Sequence, residues 1–320
     1  MLAAYIAHLS AENPMSGLEV GERPEPLARE NWTTVEVRAA SVNHHDVWSL
    51  RGVGLSPKSL PMILGTDAAG IAPDGTEVVI HSVIGADGHG VGPHETRSML
   101  SERYQGTFAQ RVSVPTANLL PKPAELSFEQ VACLPTAWLT AYRMLFVAAD
   151  LRPGNSVLIQ GAGGGLASAA IALGAAAGLD VYATSRSPQK RERALQLGAA
   201  AAFEPGTRLP MRVDAVIESV GKATWAHSVS SVKAGGTIAV AGLTTGDPEP
   251  ANLTRVFFQE IRIQGVTMGA REDLASLLAF VARTGLRPTI DSTMPLERAR
   301  EAVTRVASGD HFGKVVLTVS

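Results

Sequence analysis

The chain is 320 residues long, with 45% hydrophobic and 18% charged residues and a formal net charge of −2. That length is more than one ordinary core uses, so two domains are expected. The charge gives no electrostatic reason to expect nucleic acid or an anionic membrane as a partner, no apolar run approaches the ~20 residues of a membrane span, and a single cysteine, Cys133, excludes an internal disulfide or a thiolate zinc cage.

Residues 1–8 alternate in the manner of a first strand and lack the basic start and long apolar core of a signal peptide; a cytoplasmic protein is expected. Short β-like runs follow at 34–40, 77–80 and 108–114, punctuated by Gly and Pro. Residues 85–106 are the least regular and read as a mobile loop. Pro121-Lys-Pro123 marks a boundary, Ser127-Phe-Glu-Gln130 reads as a capping box opening a helix, and another helix is expected after Pro135 through Ala148. Cys133, within Val131-Ala-Cys-Leu-Pro135, has no adjacent cation to stabilise a thiolate and reads as a small core residue.

From Ser156 strands alternate with helices, which argues for βαβ units and a parallel sheet. Strands are expected at 157–160, 180–184, 213–218, 237–241 and 262–266, with helices at 167–177, 188–197, 223–232 and 253–260. Helices at 271–284 and 296–307 precede a final strand at 314–319.

Val157-Leu-Ile-Gln-Gly-Ala-Gly-Gly-Gly-Leu-Ala167 is the most informative stretch. A buried-strand pattern runs into a glycine cluster and then into an alanine-rich helix, the order that builds a dinucleotide pyrophosphate site. Gly161, Ala162, Gly163, Gly164, Gly165 and Leu166 are the candidate phosphate-loop residues. The strict G-x-G-x-x-G spacing is not met, because its last place falls on Leu166 or Ser168, and Ala167 takes the small-residue slot. The second strand ends Thr184-Ser-Arg-Ser-Pro-Gln-Lys190, with no carboxylate for a ribose 2′-hydroxyl. Ser185, Arg186 and Lys190 instead suit the 2′-phosphate of NADP, the alternative being a solvated helix start. Glu218-Ser-Val-Gly221 and Ala241-Gly-Leu243 each follow an expected strand, so Ser219, Val220, Gly242 and Leu243 either face a ligand or form ordinary turns.

Together the motifs resemble the medium-chain dehydrogenase/reductase superfamily, in particular its zinc-independent quinone oxidoreductase-like members. The markers are Ala40-Ser-Val-Asn-His-His-Asp46, Leu64-Gly-Thr-Asp-Ala-Ala-Gly70, Gly106-Thr-Phe-Ala109, Leu134-Pro-Thr-Ala-Trp-Leu-Thr-Ala-Tyr142, the glycine loop and His311-Phe-Gly-Lys-Val-Val-Leu317, in the family's order along essentially the whole chain. The resemblance implies an α/β architecture: a doubly wound Rossmann domain, residues 122–267, inserted into a discontinuous GroES-like β-barrel domain, residues 1–121 plus 268–320. It implies a homodimer through Rossmann edge strands, here Arg262-Ile-Gln-Gly-Val266. It places Thr140 near the nicotinamide, Leu243 at its carboxamide, and the Phe312-Gly-Lys314 segment, with Lys314, at the ribose–phosphate region.

Zinc alcohol dehydrogenases of the superfamily carry Cys, His and Cys at three ligand positions, which here hold Asn43, Thr66 and Thr136. Amide and hydroxyl groups are poor zinc ligands, so no metal is expected. The four-cysteine structural lobe would fall near 85–106, where no cysteine occurs; His81, His89 and His94 read as scattered histidines. Hydride transfer without a Lewis acid favours an already activated acceptor. Asn43 is a candidate donor to a substrate oxygen, and His44 or His45 a proton donor or a structural histidine. Asp46 reads as a loop anchor. Trp48 stands where many relatives carry a tyrosine, and Tyr104 is a second possible donor. Trp48, Leu50 and Met268 suggest a partly apolar pocket. The expected function is an NADPH-dependent reductase of quinones or α,β-unsaturated carbonyls acting on a small molecule; an enoyl-thioester or alkenal reductase and a non-catalytic NADPH-binding protein are the competing readings.

Overall fold

The structure, a computed structural model, describes residues 1–85, 97–248 and 252–320. The chain divides into two compact units, one of Met1–Leu139 with Met268–Ser320 and one of Thr140–Thr267.

The first unit is organised by the Trp32–Val42 strand, whose alternation places Val35 and Val37 in the core and Glu36 in solvent. It pairs antiparallel with Asp67–Ile71, Arg111–Pro115 and Lys314–Thr318. Lys314–Thr318 in turn runs parallel to Ile290–Pro295, which ties the end of the chain to its beginning. A smaller antiparallel sheet joins Leu18–Glu22, Leu2–Ile6 and Met62–Ile63. Leu50, Leu64, Ile80, Phe108 and Leu317 share one buried core, each such side chain worth roughly 1.5–3 kcal/mol when removed from water.

The capping box forms with both arms: Ser127 N–H donates to Gln130 Oε1 at 3.0 Å and Gln130 N–H to Ser127 Oγ at 3.3 Å. The helix it opens, Phe128–Ala132, packs on Trp32–Val42, Asp67–Ile71 and Lys314–Thr318. The break between units therefore falls at Leu139/Thr140, later than the 121/122 boundary read from the Pro-Lys-Pro run. The helix expected after Pro135 is built from wide turns at Leu134–Trp138 and Arg143–Ala148 around Leu139–Tyr142. Cys133 is fully buried, donates to Glu129 O, and has its thiol pushed by burial up to about 12, which is the chemistry of a core residue.

The second unit is a six-stranded parallel sheet in the order Ala201–Phe203, Asp180–Thr184, Ser156–Ile159, Val213–Glu218, Val232–Val240 and Arg262–Gly265. Counted within the unit this is third, second, first, fourth, fifth, sixth, so the winding reverses between Ser156–Ile159 and Val213–Glu218. Ligands of doubly wound sheets sit at the carboxyl ends of the strands at such a reversal. Ser156–Ile159 is buried at every residue, as a central parallel strand must be. Arg262–Gly265 is the edge strand and is exposed throughout. Among the described residues no helix is long and apolar enough to cross a membrane.

Candidate active site

At the reversal of the parallel sheet the backbone needs glycine twice. Gly161 has φ 72° and Gly163 φ 147°; a Cβ on Gly161 would lie 2.6 Å from Val220 Cγ2, and one on Gly163 2.7 Å from Lys190 Cδ. The chain thereby turns from strand into the Gly165–Ala176 helix, whose N-cap, Gly164, offers no side chain to its first N–H groups. Ala162 and Leu166 follow the same turn, and the Lys190 side chain lies across Gly163. Ser185 is buried, its Oγ accepting from Ser187 N–H at 3.3 Å, whereas Arg186 is exposed. Arg191, which the sequence reading passed over, holds this strand end by donating from Nη1 to Ser185 O at 2.8 Å and Arg186 O at 3.3 Å.

The two turns singled out from sequence are tied together. Thr245 donates to Val220 O through both N–H, at 2.8 Å, and Oγ1, at 2.7 Å, while Thr244 N–H reaches Ser219 O at 3.3 Å. A Cβ on Gly242 would lie 3.3 Å from Ser219 O, and Leu243 O receives Gly246 N–H at 2.9 Å. Glu218, fully buried, anchors the arrangement: Oε1 accepts from Val220 N–H at 2.8 Å and Gly221 N–H at 3.1 Å, and Oε2 from Ser228 Oγ at 2.6 Å. Thr224 Oγ1 lies 2.9 Å from both carboxylate oxygens. Gln160 links this carboxylate to the glycine loop: its Nε2 donates to Ser228 Oγ at 3.1 Å, its Oε1 accepts from Thr184 Oγ1 at 2.6 Å, and Thr184 Oγ1 accepts from Gly161 N–H at 3.3 Å. Thr140, the first residue of this unit, is buried in the Leu139–Tyr142 turn.

In the first unit, Asn43 to Trp48 lie at the start of a helix, His44–Leu50, that sequence did not anticipate. Asp46 is fully buried and accepts from Asn43 N–H at 2.8 Å and Gly65 N–H at 3.1 Å; burial pushes its carboxyl up to about 6. The Asn43 amide faces inward. Its Nδ2 donates to Asp67 Oδ2 at 2.8 Å and Thr66 Oγ1 at 3.2 Å, and its Oδ1 accepts from Lys314 Nζ at 2.6 Å. Thr66 Oγ1 in turn lies 3.0 Å from Thr136 Oγ1. Lys314 Nζ also reaches Val42 O at 2.9 Å and Asp67 Oδ2 at 3.2 Å.

Two family models match the chain: "Alcohol dehydrogenase GroES-like domain" over residues 29–124 and "Zinc-binding dehydrogenase" over residues 165–283. A solved structure described as an NAD-dependent alcohol dehydrogenase superposes with a TM-score of 0.91 at 32% identity, covering 100% of both chains. The chain belongs to the medium-chain dehydrogenase/reductase superfamily. Its first unit is the GroES-like half of such an enzyme and its second the Rossmann half, and it is an oxidoreductase. Similar curated members include a zinc-type alcohol dehydrogenase-like protein of Schizosaccharomyces pombe (29% identical, covering 89% of this chain and 90% of the relative). A crotonyl-CoA carboxylase/reductase of Cereibacter sphaeroides is 29% identical over 92% of this chain and 81% of its own length, and a quinone oxidoreductase of Mus musculus 27% identical over 91% and 90%.

On the resemblance drawn from sequence, a catalytic zinc would be held at Asn43, Thr66 and Thr136, and these residues do not fit it. Asn43 turns an N–H₂ group, whose nitrogen has no lone pair available to a metal, toward Thr66, and an ammonium lies 2.6 Å from its oxygen. Among the described residues no group of three His, Cys, Asp or Glu side chains has metal-site geometry. His81 is fully buried and bonded to Gly269 O at 2.8 Å, and His89 and His94 lie outside the described residues.

Several expected roles change. Asn43 is not a donor to substrate, since its amide hydrogens go to Thr66 and Asp67. Lys314 and Phe312 are both 2% exposed, and the lysine is taken by Asn43, Val42 and Asp67. Tyr104 packs against Trp32 at 4.9 Å, at the far end of the strand that leads into Asn43. Leu50 is a core residue rather than a pocket wall, and Met268 is buried too. Trp48 is held by its own helix, the His44 ring 5.8 Å away and the Arg51 guanidinium 5.2 Å from its ring centre.

The two histidines sit in opposite settings. Burial, with help from Arg51, holds His44 below its ordinary value, so it is uncharged at neutral pH. His45 spends Nε2 on Glu102 Oε1 at 2.9 Å and buries Nδ1 without a partner among the described residues. Burial alone would lower the His45 pKa, but the Glu102 bond and the charges of Asp46, Glu102 and Asp67 outweigh it and raise it. A raised histidine pKa stabilises the fold at pH below about 6.5, and the contribution is lost as pH rises through the folded value. Glu102→Gln is therefore expected to lower the His45 pKa, read from ring-proton NMR titration, and to cost about 1 kcal/mol at pH 5.5. The cost should vanish on the alkaline side; an equal loss at both pH values would show that the pair is not ionic.

Proposed function

We propose that the chain is an NADPH-dependent reductase that works without a metal on acceptors already activated for hydride addition: quinones or α,β-unsaturated carbonyl compounds. The observation that carries this reading is the inward-bonded cluster of Asn43, Thr66, Thr136, Asp67 and Lys314, which leaves nothing to act as a Lewis acid on a simple alcohol. When bound, NADPH supplies the hydride. Gly161 and Gly163 let the backbone approach its pyrophosphate, and the Gly165–Ala176 helix turns its N–H groups to the phosphates. Ser185, Arg186 and Lys190 supply a hydroxyl and two cations for the 2′-phosphate, with Arg191 holding the strand end in place. Hydride addition moves an electron pair onto the acceptor oxygen, and the resulting enolate or hydroquinone anion is stable enough to take its proton from water. The similarity to a crotonyl-CoA carboxylase/reductase favours enoyl thioesters as the second class of acceptor.

Stopped-flow oxidation of bound NADPH against quinones, enones, enoyl thioesters and simple ketones tests this. Turnover is expected with the activated acceptors and not with the ketones; ketone reduction by a zinc-loaded protein would refute it. Because one similar structure is an NAD-dependent enzyme, coenzyme choice needs its own arm. Arg186→Ala is expected to lower kcat/KM for NADPH by about tenfold or more, the worth of one charge-assisted bond, and to leave NADH unchanged.

A further inference from the structure

We propose that His227 is a positioning residue of the coenzyme site: through Gln160 and Thr184 it holds the glycine loop in its binding geometry, and it does so only while its ring is uncharged. That role presupposes the coenzyme reading above. His227 is half-buried on the Trp225–Ser231 helix, so protons from solvent reach it. Its Nε2 lies 2.9 Å from Thr207 O and its Nδ1 3.1 Å from Gln160 Nε2. A carbonyl only accepts, so Nε2 carries the hydrogen, and Nδ1 of the neutral ring takes one from the Gln160 amide. The direction then runs on without a choice. Gln160 Oε1 takes the Thr184 hydroxyl hydrogen at 2.6 Å, and Thr184 Oγ1 is left to accept from Gly161 N–H at 3.3 Å. Thr184 O takes the next loop N–H, that of Ala162, at 2.6 Å.

The Gln160 amide has no freedom to turn. Ser228 Oγ spends its one hydrogen on Glu218 Oε2 at 2.6 Å, so it can only accept from Gln160 Nε2 at 3.1 Å. Gln160, Thr184, Ser228 and Glu218 are all fully buried, where a stranded donor or acceptor costs more than a bond gains. A second ring hydrogen, on Nδ1, would face an N–H₂ group that Ser228 and Glu218 hold in place. Ring and amide must then part, and the disturbance passes through Thr184 to Gly161. The helix carries no other titratable side chain. The strands packed on it carry Glu218, Asp214 and Lys233, the last two paired at 2.7 Å. The segment around Thr207 carries Glu204, Arg208 and Arg212, and Arg255 is bonded to Val229 O and Ser230 O. Of these residue types only histidine ordinarily changes charge between about pH 5 and 8. The sign is diagnostic. A cation appearing near an anionic coenzyme would tighten binding by attraction alone, whereas the broken chain loosens it.

NMR of coenzyme-free protein carrying ¹⁵N-labelled histidine, assigned against His227→Asn, should show the neutral His227 ring in its Nε2–H form. Titration calorimetry with NADP⁺ then reads the effect on binding. His227→Asn keeps an acceptor for Gln160 and cannot titrate; at about pH 8 it should bind within about twofold of the parent, and His227→Leu at least about fivefold more weakly. Between about pH 8 and 5.5 the 2′-phosphate takes up its own proton, a loss that all the proteins share. Beyond it the parent should weaken by a further factor of about five or more, and His227→Asn by none. Gln160→Leu, which keeps the histidine and cuts the chain, should follow the His227→Asn profile. The NMR arm needs no coenzyme, so an Nδ1–H ring would refute the wiring alone, whereas a parent that binds no NADP⁺ would refute the coenzyme reading and this role with it. Coincident pH profiles for parent and His227→Asn, or tighter binding by the parent in acid, would overturn the assignment.

Discussion

A Gly161→Ala variant is expected to bind NADPH at least about tenfold more weakly, and its second unit to melt several degrees lower. Gly161 holds φ 72°, where an L side chain costs roughly 1–2 kcal/mol. Its new methyl would lie 2.6 Å from Val220 Cγ2, an overlap that typically costs another ~1–3 kcal/mol unless something moves. The Val220 backbone is not placed to move, since its N–H is bonded to Glu218 and its carbonyl to Thr245, so relief comes from turning the valine side chain or from the glycine loop. Any shift of the loop would disturb the proposed phosphate cradle. Gly164→Ala is the control. Gly164 has φ −74°, and among the described residues nothing beyond its chain neighbours lies within 4 Å of an added Cβ, so its stability should stay within about 1 kcal/mol of the parent, the N-cap preference for glycine over alanine. Isothermal titration with NADPH and melting curves on both variants read the two effects separately. Equal coenzyme affinity in Gly161→Ala and the parent would remove the loop from the coenzyme site.

The parallel half was legible because each of its central strands carries its burial in its own residues. Asp180–Thr184 and Val213–Glu218 fall where the apolar runs place them, since a strand covered on both faces needs no partner to be recognised. Ala201–Phe203 was missed because an alanine run has no preference for a strand, and only pairing with Tyr182–Thr184 makes it one. The His44–Leu50 helix was hidden for a related reason: the Asn-His-His-Asp run reads as a catalytic motif, while its helical start depends on Asp46 accepting from Asn43 N–H. The site itself was legible as residue types and not as partners. Asn43, Thr66 and Thr136 could be named as replaced ligands, but the cation bonded to Asn43 lies 271 residues away from it. One signal was present: Asp67 opens an otherwise apolar strand, Asp67-Ala-Ala-Gly-Ile71, and a carboxylate there needs a buried partner. The phosphate loop shows the opposite case, because glycine at a positive φ is a local requirement and can be read locally.

Glu218→Ala should have the largest effect on stability of any single change in the Rossmann half, a loss of about 4 kcal/mol or more. The carboxylate is fully buried and takes Val220 N–H, Gly221 N–H, Thr224 Oγ1 and Ser228 Oγ. Removing it strands these donors, each at a cost of roughly 1–3 kcal/mol, part of which entering water restores. The expected fall in melting temperature is on the order of 10 °C. Glu218→Gln keeps one acceptor oxygen and the shape of the side chain, but points an N–H₂ group at donors, so roughly half of the loss should remain. Coenzyme binding should fall in both variants, because Glu218 fixes the Ser219–Val220 turn against which Gly161 is packed. That shared contact makes the two sites interdependent. Once Val220 is loosened by Glu218→Gln, the methyl of Gly161→Ala has somewhere to go, and the double variant should lose less than the sum of the singles by about 1 kcal/mol. Strict additivity in a double-mutant cycle on NADPH affinity would mean that the buried carboxylate and the phosphate loop are not coupled through Val220.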